Sequence, residues 1–505
     1  MVILDGNSLT LDALMAIARD FAAVEISAAA LTRVRASRAV VDRFAQGDAP
    51  VYGINTGFGS FAEVRIPSES LDALQLHLLR SHAAGVGEPL SIPAVRAMMA
   101  LRANVLAKGF SGIRPATLEL LVELLNHKVH PVVPSRGSVG ASGDLAPLAH
   151  LALVLVGEGE AFAESTGGRE PGAAALRRAA LTPATLGPKE GLALINGTQA
   201  SVALLGLALT DAERLARAAD IAAALSIDGL QGSRRPFDPR IHGARGFAGQ
   251  SASAANLDAL LDGSPINASH ANCGRVQDAY SMRCAAQVHG AAREAFRFVR
   301  QVFDTEANAA TDNPMVFADG DIVSGGNFHG APVALAADLL CIGSVHLATI
   351  SERRSERLVN PALSGLPAFL TRHGGLQSGL MMAQVTAAAL TSELKTLAHP
   401  ASVDTIPTSA NKEDHVSMSM GAALKAVRAC ELACRVIAVE LLCACQAIDL
   451  LAPLTSSPPL SRVHGFIRTR VPMLDDDRPP SRDLAVISDL IASGDLERAC
   501  ATKVN

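Results

Sequence analysis

The chain has 505 residues, a formal net charge of -5, 49% hydrophobic and 18% charged residues, no Trp and only two Tyr. That length supports a large core and more than one domain, and a composition led by Ala and Leu predicts a globular, mainly helical protein. The mild acidity excludes the basic surface of a nucleic-acid binder, and eight cysteines in so long a chain do not make a disulfide framework.

In chain order, Met1 to Phe21 carries Asp5 and Asp12 and no basic head, so no signal peptide is expected. Two short helices are predicted, over Leu11 to Phe21 and Ser27 to Ala45. The loop Tyr52-Gly-Ile-Asn-Thr-Gly-Phe-Gly59 follows. Its Gly57-x-Gly59-x-x-Ala62 matches a dinucleotide fingerprint poorly, because polar Asn55 and Thr56 stand where an apolar strand belongs. Leu71, Leu74, Leu78 and Leu79 recur at helical spacing and predict a helix over Ser70 to Ala84. His82 near its end reads first as a cap for terminal carbonyls. Further helices are predicted over Ile92 to Lys108 and Pro115 to Lys128, with Pro131 and Pro134 breaking the chain beyond them.

Next comes Gly137-Ser-Val-Gly-Ala-Ser-Gly-Asp-Leu-Ala-Pro147, with no bulky side chain besides Val139 before Leu145. Asp144 can cap the following helix, Pro147 suits its first turn, and the helix N-terminus favours negative charge. A phosphate cradle is a poor match, because Asp144 stands where Lys belongs. A nucleophile elbow needs glycine two places after Ser142, and Asp144 occupies that place too.

Residues 159 to 190 read as a surface hairpin or loop excursion. Leu192 to Gln199 brings Asn196 into an apolar stretch, where a buried amide needs partners, and a helix is predicted over Ala200 to Leu225. Residues 228 to 276 read as loop-rich, with Arg234, Arg235, Arg240 and Arg245 among Gly and Pro. Tyr280 and Arg283 follow in a polar segment. Both tyrosines of the chain, Tyr52 and Tyr280, thus lie outside apolar runs, which points to use of their hydroxyls. Long helices are expected at Val333 to Leu358, Gln377 to Leu397 and Val416 to Leu451, buried on several sides and shared between subunits in a bundle. Asp338 interrupts the apolar run Val333 to Ile350, so no membrane span is expected. Cys430 and Cys434 share a helical face, and buried thiols in a reducing cytoplasm are expected rather than a metal site. The segment Ser409 to Met418 crowds Lys412, Glu413, Asp414 and His415, and the tail from 457 ends in an amphipathic helix.

Several of these segments, in this order, resemble the aromatic amino acid ammonia-lyase family over about residues 5 to 495. They are the Tyr52 loop, Arg80-Ser-His-Ala-Ala-Gly85, Gly137 to His150, Asn196-Gly-Thr-Gln-Ala-Ser201, Val276-Gln-Asp-Ala-Tyr-Ser-Met-Arg-Cys284, Gly325-Gly-Asn-Phe-His329 and Glu413-Asp-His-Val-Ser-Met418. The resemblance implies that Ala141-Ser142-Gly143 cyclises and loses water to give a methylidene-imidazolone electrophile, with no external cofactor and no metal. It implies Tyr52 as the base for the β-proton, its pKa lowered by nearby positive charge or donors. It implies Arg283 on the substrate carboxylate, Asn196 and Tyr280 holding electrophile and substrate, and Gln277 and Phe328 lining the substrate site. Glu413 and His82 would contact the substrate ring, with Glu413 sharing proton transfer. Ser81-His82 and Glu413-Asp414 replace the pairs of the phenylalanine and tyrosine enzymes and suit an imidazole.

The expected reaction is non-oxidative loss of ammonia from L-histidine to trans-urocanate. The alternatives are the same elimination on a methylated or thiol-bearing histidine, an aromatic aminomutase, or a catalytically silent helical scaffold. Ala279, Ala331, Gln377, Leu380 and Leu394 depart from the family's usual residues. The family implies a cytoplasmic homotetramer with sites shared between subunits and a small-molecule amino acid as substrate, with neither nucleic acid nor membrane as partner. The expected architecture is mainly α. A loop-rich domain, 1–200, carries the electrophile, and 201–505 forms the central long-helix bundle and C-terminal helices.

Overall fold

Helix boundaries follow local chemistry. In the computed structural model, which describes residues 1–47, 49–163 and 168–504, the first helix is Leu11–Ala18 and Thr10 Oγ1 accepts from the Ala13 N–H at its start. Ser27 and Ser91 do the same for Ala28–Ala45 and Ile92–Ala107. Leu71–His82, Pro115–Asn126 and Leu145–Leu155 complete the early helices near their expected spans. The long helices are Gln199–Gly229, Ala285–Glu306, Ala331–Val359, Met381–Leu397 and Ser419–Leu450. The described residues are therefore mainly helical. Ala331–Val359 is long and apolar enough to cross a bilayer, but 72% of its most apolar window is buried, as in a core helix.

Some differences from the sequence reading have clear causes. The segment read as loop-rich contains helices Pro239–Arg245, Ala248–Leu261 and Pro265–Ser269. Its prolines are not breakers: two of them sit at first helical positions behind Asp238 and Ser264 caps. Arg234 pairs with Asp258 and Asp262, tying its loop to the second of these helices. The helix expected from Gln377 begins at Met381, after Gly379 at φ 57°, and the Gln377 side chain holds Asp475 and Asp476 instead. The helix expected from Val416 begins at Ser419, after Met418 at φ 58°.

The small β content is in two-stranded pairs. Val2–Leu4 runs parallel to Val24–Ile26 in the register Val2 to Val24, with Leu11–Ala18 as the crossover. Val86–Pro89 pairs antiparallel with Pro134–Arg136, Glu160–Phe162 with Arg169–Pro171, and Met315–Val316 with Ile322–Val323. The second antiparallel pair is a hairpin in the predicted excursion; residues 164–167 lie outside the described residues.

The chain forms two compact units, each discontinuous in sequence, whereas the sequence reading divides it once at 200/201. The first comprises 1–207, 300–337 and 400–424, and the second 208–299, 338–399 and 425–505. In the first, Ile92–Ala107 is buried along nearly its whole length. In the second, buried polar groups pin four long helices together. Arg354 forms a bidentate pair with Glu440, and Glu440 also accepts from Ser226 Oγ at 2.6 Å. His289 and Arg293 pair with Asp220. Burial raises the Asp220 carboxyl, but Arg293 and His289 outweigh it and bring it down to about 2. Cys341, Cys430, Cys443, Cys445 and Cys500 are buried free thiols, while Cys273 is exposed.

Candidate active site

The small-residue loop leaves strand Pro134–Arg136 and enters helix Leu145–Leu155. Gly143 has φ 72° and pairs with Gly197; a Cβ there would run into the Gly197 backbone. Gly140, at φ 66°, packs where a Cβ would meet the hydroxyls of Ser417 and Ser419. Only glycine satisfies both demands. Ser417 Oγ donates to Gly140 O at 2.8 Å, and Met418 N donates to Val139 O at 2.8 Å, so the 417–419 turn grips the loop.

Asp144 does not cap its own helix, which corrects the sequence reading. Its carboxylate accepts from Ser201 N at 2.7 Å, Ser201 Oγ at 2.9 Å and Ser138 Oγ at 2.9 Å. It therefore caps the start of Gln199–Gly229 through Ser201, 57 residues further on, and the positive end of that helix suits a buried carboxylate. Burial still holds its pKa above the ordinary value.

Ser142 lies between two polar side chains. Its hydroxyl donates to Glu413 Oε1 at 2.5 Å, and its carbonyl accepts from Asn196 Nδ2 at 2.8 Å. Asn196 Oδ1 is buried and without a hydrogen-bond partner among the described residues. Glu413 Oε2 accepts from Thr408 Oγ1 at 2.5 Å and Ser409 Oγ at 2.9 Å. Burial pushes the Glu413 carboxyl up, but the hydroxyls of Ser142, Thr408 and Ser409 and the nearby His82 hold it below its ordinary value.

His82 combines the two readings. Its Nδ1 lies 2.9 Å from Leu78 O, the contact of a C-terminal cap, which leaves Nε2 as an acceptor. Burial lowers its pKa, so the ring is neutral at pH 7. Tyr52 is half-buried and edge-on to Phe58 at 6.3 Å. Its expected lowered pKa is not found: burial, and then the charge of Glu413, raise it, and the Gly59 backbone donor does not compensate. Phe328 is half-buried in the 324–330 loop, and Gly330 of that loop packs on Ser417 and Ser419.

Beneath Asn196 lies a group the sequence reading missed. Arg102 is fully buried and donates to Asn196 O at 2.8 Å, Gln199 Oε1 at 2.7 Å and Ala193 O. Gln199 Nε2 in turn donates to Thr311 Oγ1 at 2.8 Å. Lys189 and Asp312 form a buried ion pair at 3.1 Å, and Asp312 acts on Arg102 electrostatically. An arginine inside the apolar run Ile92–Ala107 is the one signal that could have flagged it.

Gln277, Tyr280 and Arg283 belong to the second unit. Tyr280 is 71% exposed at the start of helix Tyr280–Arg283, and the Arg283 guanidinium lies 4.6 Å from its ring centroid. Arg283 Nε donates to Asp278 O at 3.0 Å. With Gln277 and Asp278 it lines a cavity of about 600 Å³. Among the described residues no group of three or more His, Cys, Asp or Glu could hold a metal ion.

The long-helix fold is shared with solved lyases and aminomutases that act on amino acids. The structure is similar to histidine ammonia-lyase from Trypanosoma cruzi, with a TM-score of 0.92 and 47% identity over 99% of this chain and 94% of that one. It is also similar to tyrosine aminomutase from Streptomyces globisporus, with a TM-score of 0.95 and 35% identity over the whole of both chains. In sequence it is 59% identical to histidine ammonia-lyase of Anaeromyxobacter sp. strain K, over 98% of this chain and 99% of that one. Residues 9–469 match the aromatic amino acid lyase family, to which this chain belongs.

Proposed function

We propose that this chain is a carbon–nitrogen lyase that eliminates ammonia non-oxidatively from L-histidine to give trans-urocanate. The observation that carries this reading is the convergence of Glu413 and Asn196 on Ser142, with a neutral His82 near Glu413. A carboxylate and a neutral imidazole offer acceptors for a ring N–H, which a phenyl ring lacks.

The residues present fit a methylidene-imidazolone formed from Ala141, Ser142 and Gly143. Gly143 has no Cβ to obstruct its nitrogen, and Asn196 Nδ2 already donates to the residue 142 carbonyl that the ring would carry. That group supplies an electrophilic carbon for the substrate amine. In the elimination the Cα–N bond breaks, the β-proton leaves to a base, and a carbon–carbon double bond forms. Asn196 donates to the carbonyl of residue 142, where developing negative charge is stabilised by a preorganised donor. Tyr52 is assigned the β-proton. Burial and Glu413 hold its phenol protonated, so removing that proton calls for positive charge near it. Arg283, whose terminal nitrogens make no hydrogen bond among the described residues, is assigned the substrate carboxylate as a two-pronged donor. Gln277, Tyr280 and Phe328 would complete the substrate site.

The reading includes a cytoplasmic homotetramer in which sites combine residues of several subunits. The test is a panel of L-histidine, its methyl and thiol derivatives, tyrosine and phenylalanine. It is followed by ultraviolet absorbance of the unsaturated acid and by ammonia release, without added cofactor. Histidine is expected to react fastest. A derivative reacting faster, or a β-amino acid as product, would overturn the reading.

A further inference from the structure

We propose that the hydroxyls of Thr408 and Ser409 are positioning groups that fix which oxygen of Glu413 faces the substrate ring, and so select for a ring N–H donor. This rests on the proposed lyase reading and extends it.

The two oxygens of Glu413 are not equivalent. Oε2 is held by Thr408 Oγ1 at 2.5 Å and by Ser409 Oγ at 2.9 Å, whereas Oε1 has Ser142 Oγ at 2.5 Å. The Ser142 hydroxyl is the group that a dehydrated residue 142 no longer has. Its loss frees Oε1 and leaves Oε2 clamped, so one acceptor is turned to the site and the other is occupied.

The backbone builds this clamp. Thr408 and Glu413 face each other across an antiparallel bridge, with Thr408 N donating to Glu413 O at 3.0 Å. The turn between them places Ser409, Ala410 and Asn411 in succession at φ 50°, 52° and 68°, a left-handed run that non-glycine residues avoid. That conformation folds two hydroxyls onto one carboxylate.

The titratable groups acting on Glu413 from packed elements are His82, at the end of Leu71–His82, and Tyr52. Lys412, Asp414 and His415 flank it on its own segment, and His415 stacks on His329. None of these replaces a hydroxyl on Oε2. A carboxylate stripped of two donors protonates more readily, and a protonated Glu413 is a poorer acceptor for a ring N–H.

The experiment compares the parent with Thr408→Val, Thr408→Ser, Ser409→Ala and the double variant T408V/S409A. It reads intact mass, KM and kcat for L-histidine, and the pH dependence of kcat/KM. The double variant is expected to keep the loss of water at Ser142 and to raise KM more than it lowers kcat. Its kcat/KM should fall about 10- to 100-fold and its acid limb should move to higher pH, as for lost charge-assisted bonds. Thr408→Ser should stay close to the parent where Thr408→Val does not. A double variant within about twofold of the parent with an unmoved acid limb overturns the proposal. So does a variant that retains the Ser142 water, which would assign the hydroxyls to maturation. A parent inactive on histidine refutes the lyase reading instead, and the clamp is then scored on whichever panel member reacts.

Discussion

Replacing Arg102 by Met sets two effects of known sign against each other. Arg102 is fully buried, and burial pushes its guanidinium well below its ordinary value, down to about 10, despite the favourable charge of Asp312. That drop corresponds to about 3 kcal/mol charged against the folded state, which the substitution removes. Against this, Asn196 O, Gln199 Oε1 and Ala193 O all lose a charged donor in a site without exposed surface. Leaving a buried acceptor unpaired costs about 1–3 kcal/mol, so three cost roughly 3–9 kcal/mol. The acceptors win, with a net destabilisation of about 3 kcal/mol in the middle of the range. Unfolding entropy of about 2 cal/mol/K per residue makes this only about 3 °C in Tm for a chain of this length. Scanning calorimetry can resolve such a shift. Because Asn196 loses its anchor, kcat should fall by at least about tenfold, as for a displaced transition-state donor. An unchanged or raised Tm together with unchanged kcat would refute the reasoning, since the carbonyls would then have found other donors and Asn196 would need no support.

Ser142→Ala should abolish ammonia release and remove the loss of water from the intact mass, while circular dichroism and assembly stay as in the parent; full activity in that variant would refute the self-made electrophile. His130 is buried, and burial together with Arg96, which donates to its Nε2 at 3.0 Å, pushes it down to about 4. The folded state keeps it neutral while the unfolded chain protonates it below about 6.5. The unfolded state therefore binds more protons in this window, and stability falls by about 3 kcal/mol as pH drops from about 6.5 to 4. His130→Gln should flatten that part of a pH series of urea midpoints, and an equally steep series would assign the acid sensitivity elsewhere.

The parts of the fold that were legible in the sequence are those decided within a few residues. The helices beginning near Leu11, Ser27 and Ile92 were legible as local patterns, and the caps that fix their starts, Thr10, Ser27 and Ser91, each act on an N–H only three positions on. Asp144 misled because its partner is Ser201, and no local rule sees a cap across 57 residues. The helices at 239–269 were hidden because their prolines and arginines resemble loop residues until their partners, such as Asp258, are known. Ser142, Asn196 and Glu413 were named from motifs, and their meeting is a tertiary fact. Arg102, Thr408 and Ser409 carry no motif. A buried arginine gains meaning only from the carbonyls around it, and a hydroxyl only from the carboxylate it touches.

The grip of Ser417 on Gly140 spans 277 positions of sequence. On a ribosome adding about 5–20 residues per second, the small-residue loop emerges roughly a quarter of a minute to a minute before the turn that shapes it. Through that interval the Gly140 carbonyl lacks its Ser417 partner. The loop geometry on which the proposed cyclisation would depend is complete only once the segment around residue 417 has been made and has folded back onto Gly140.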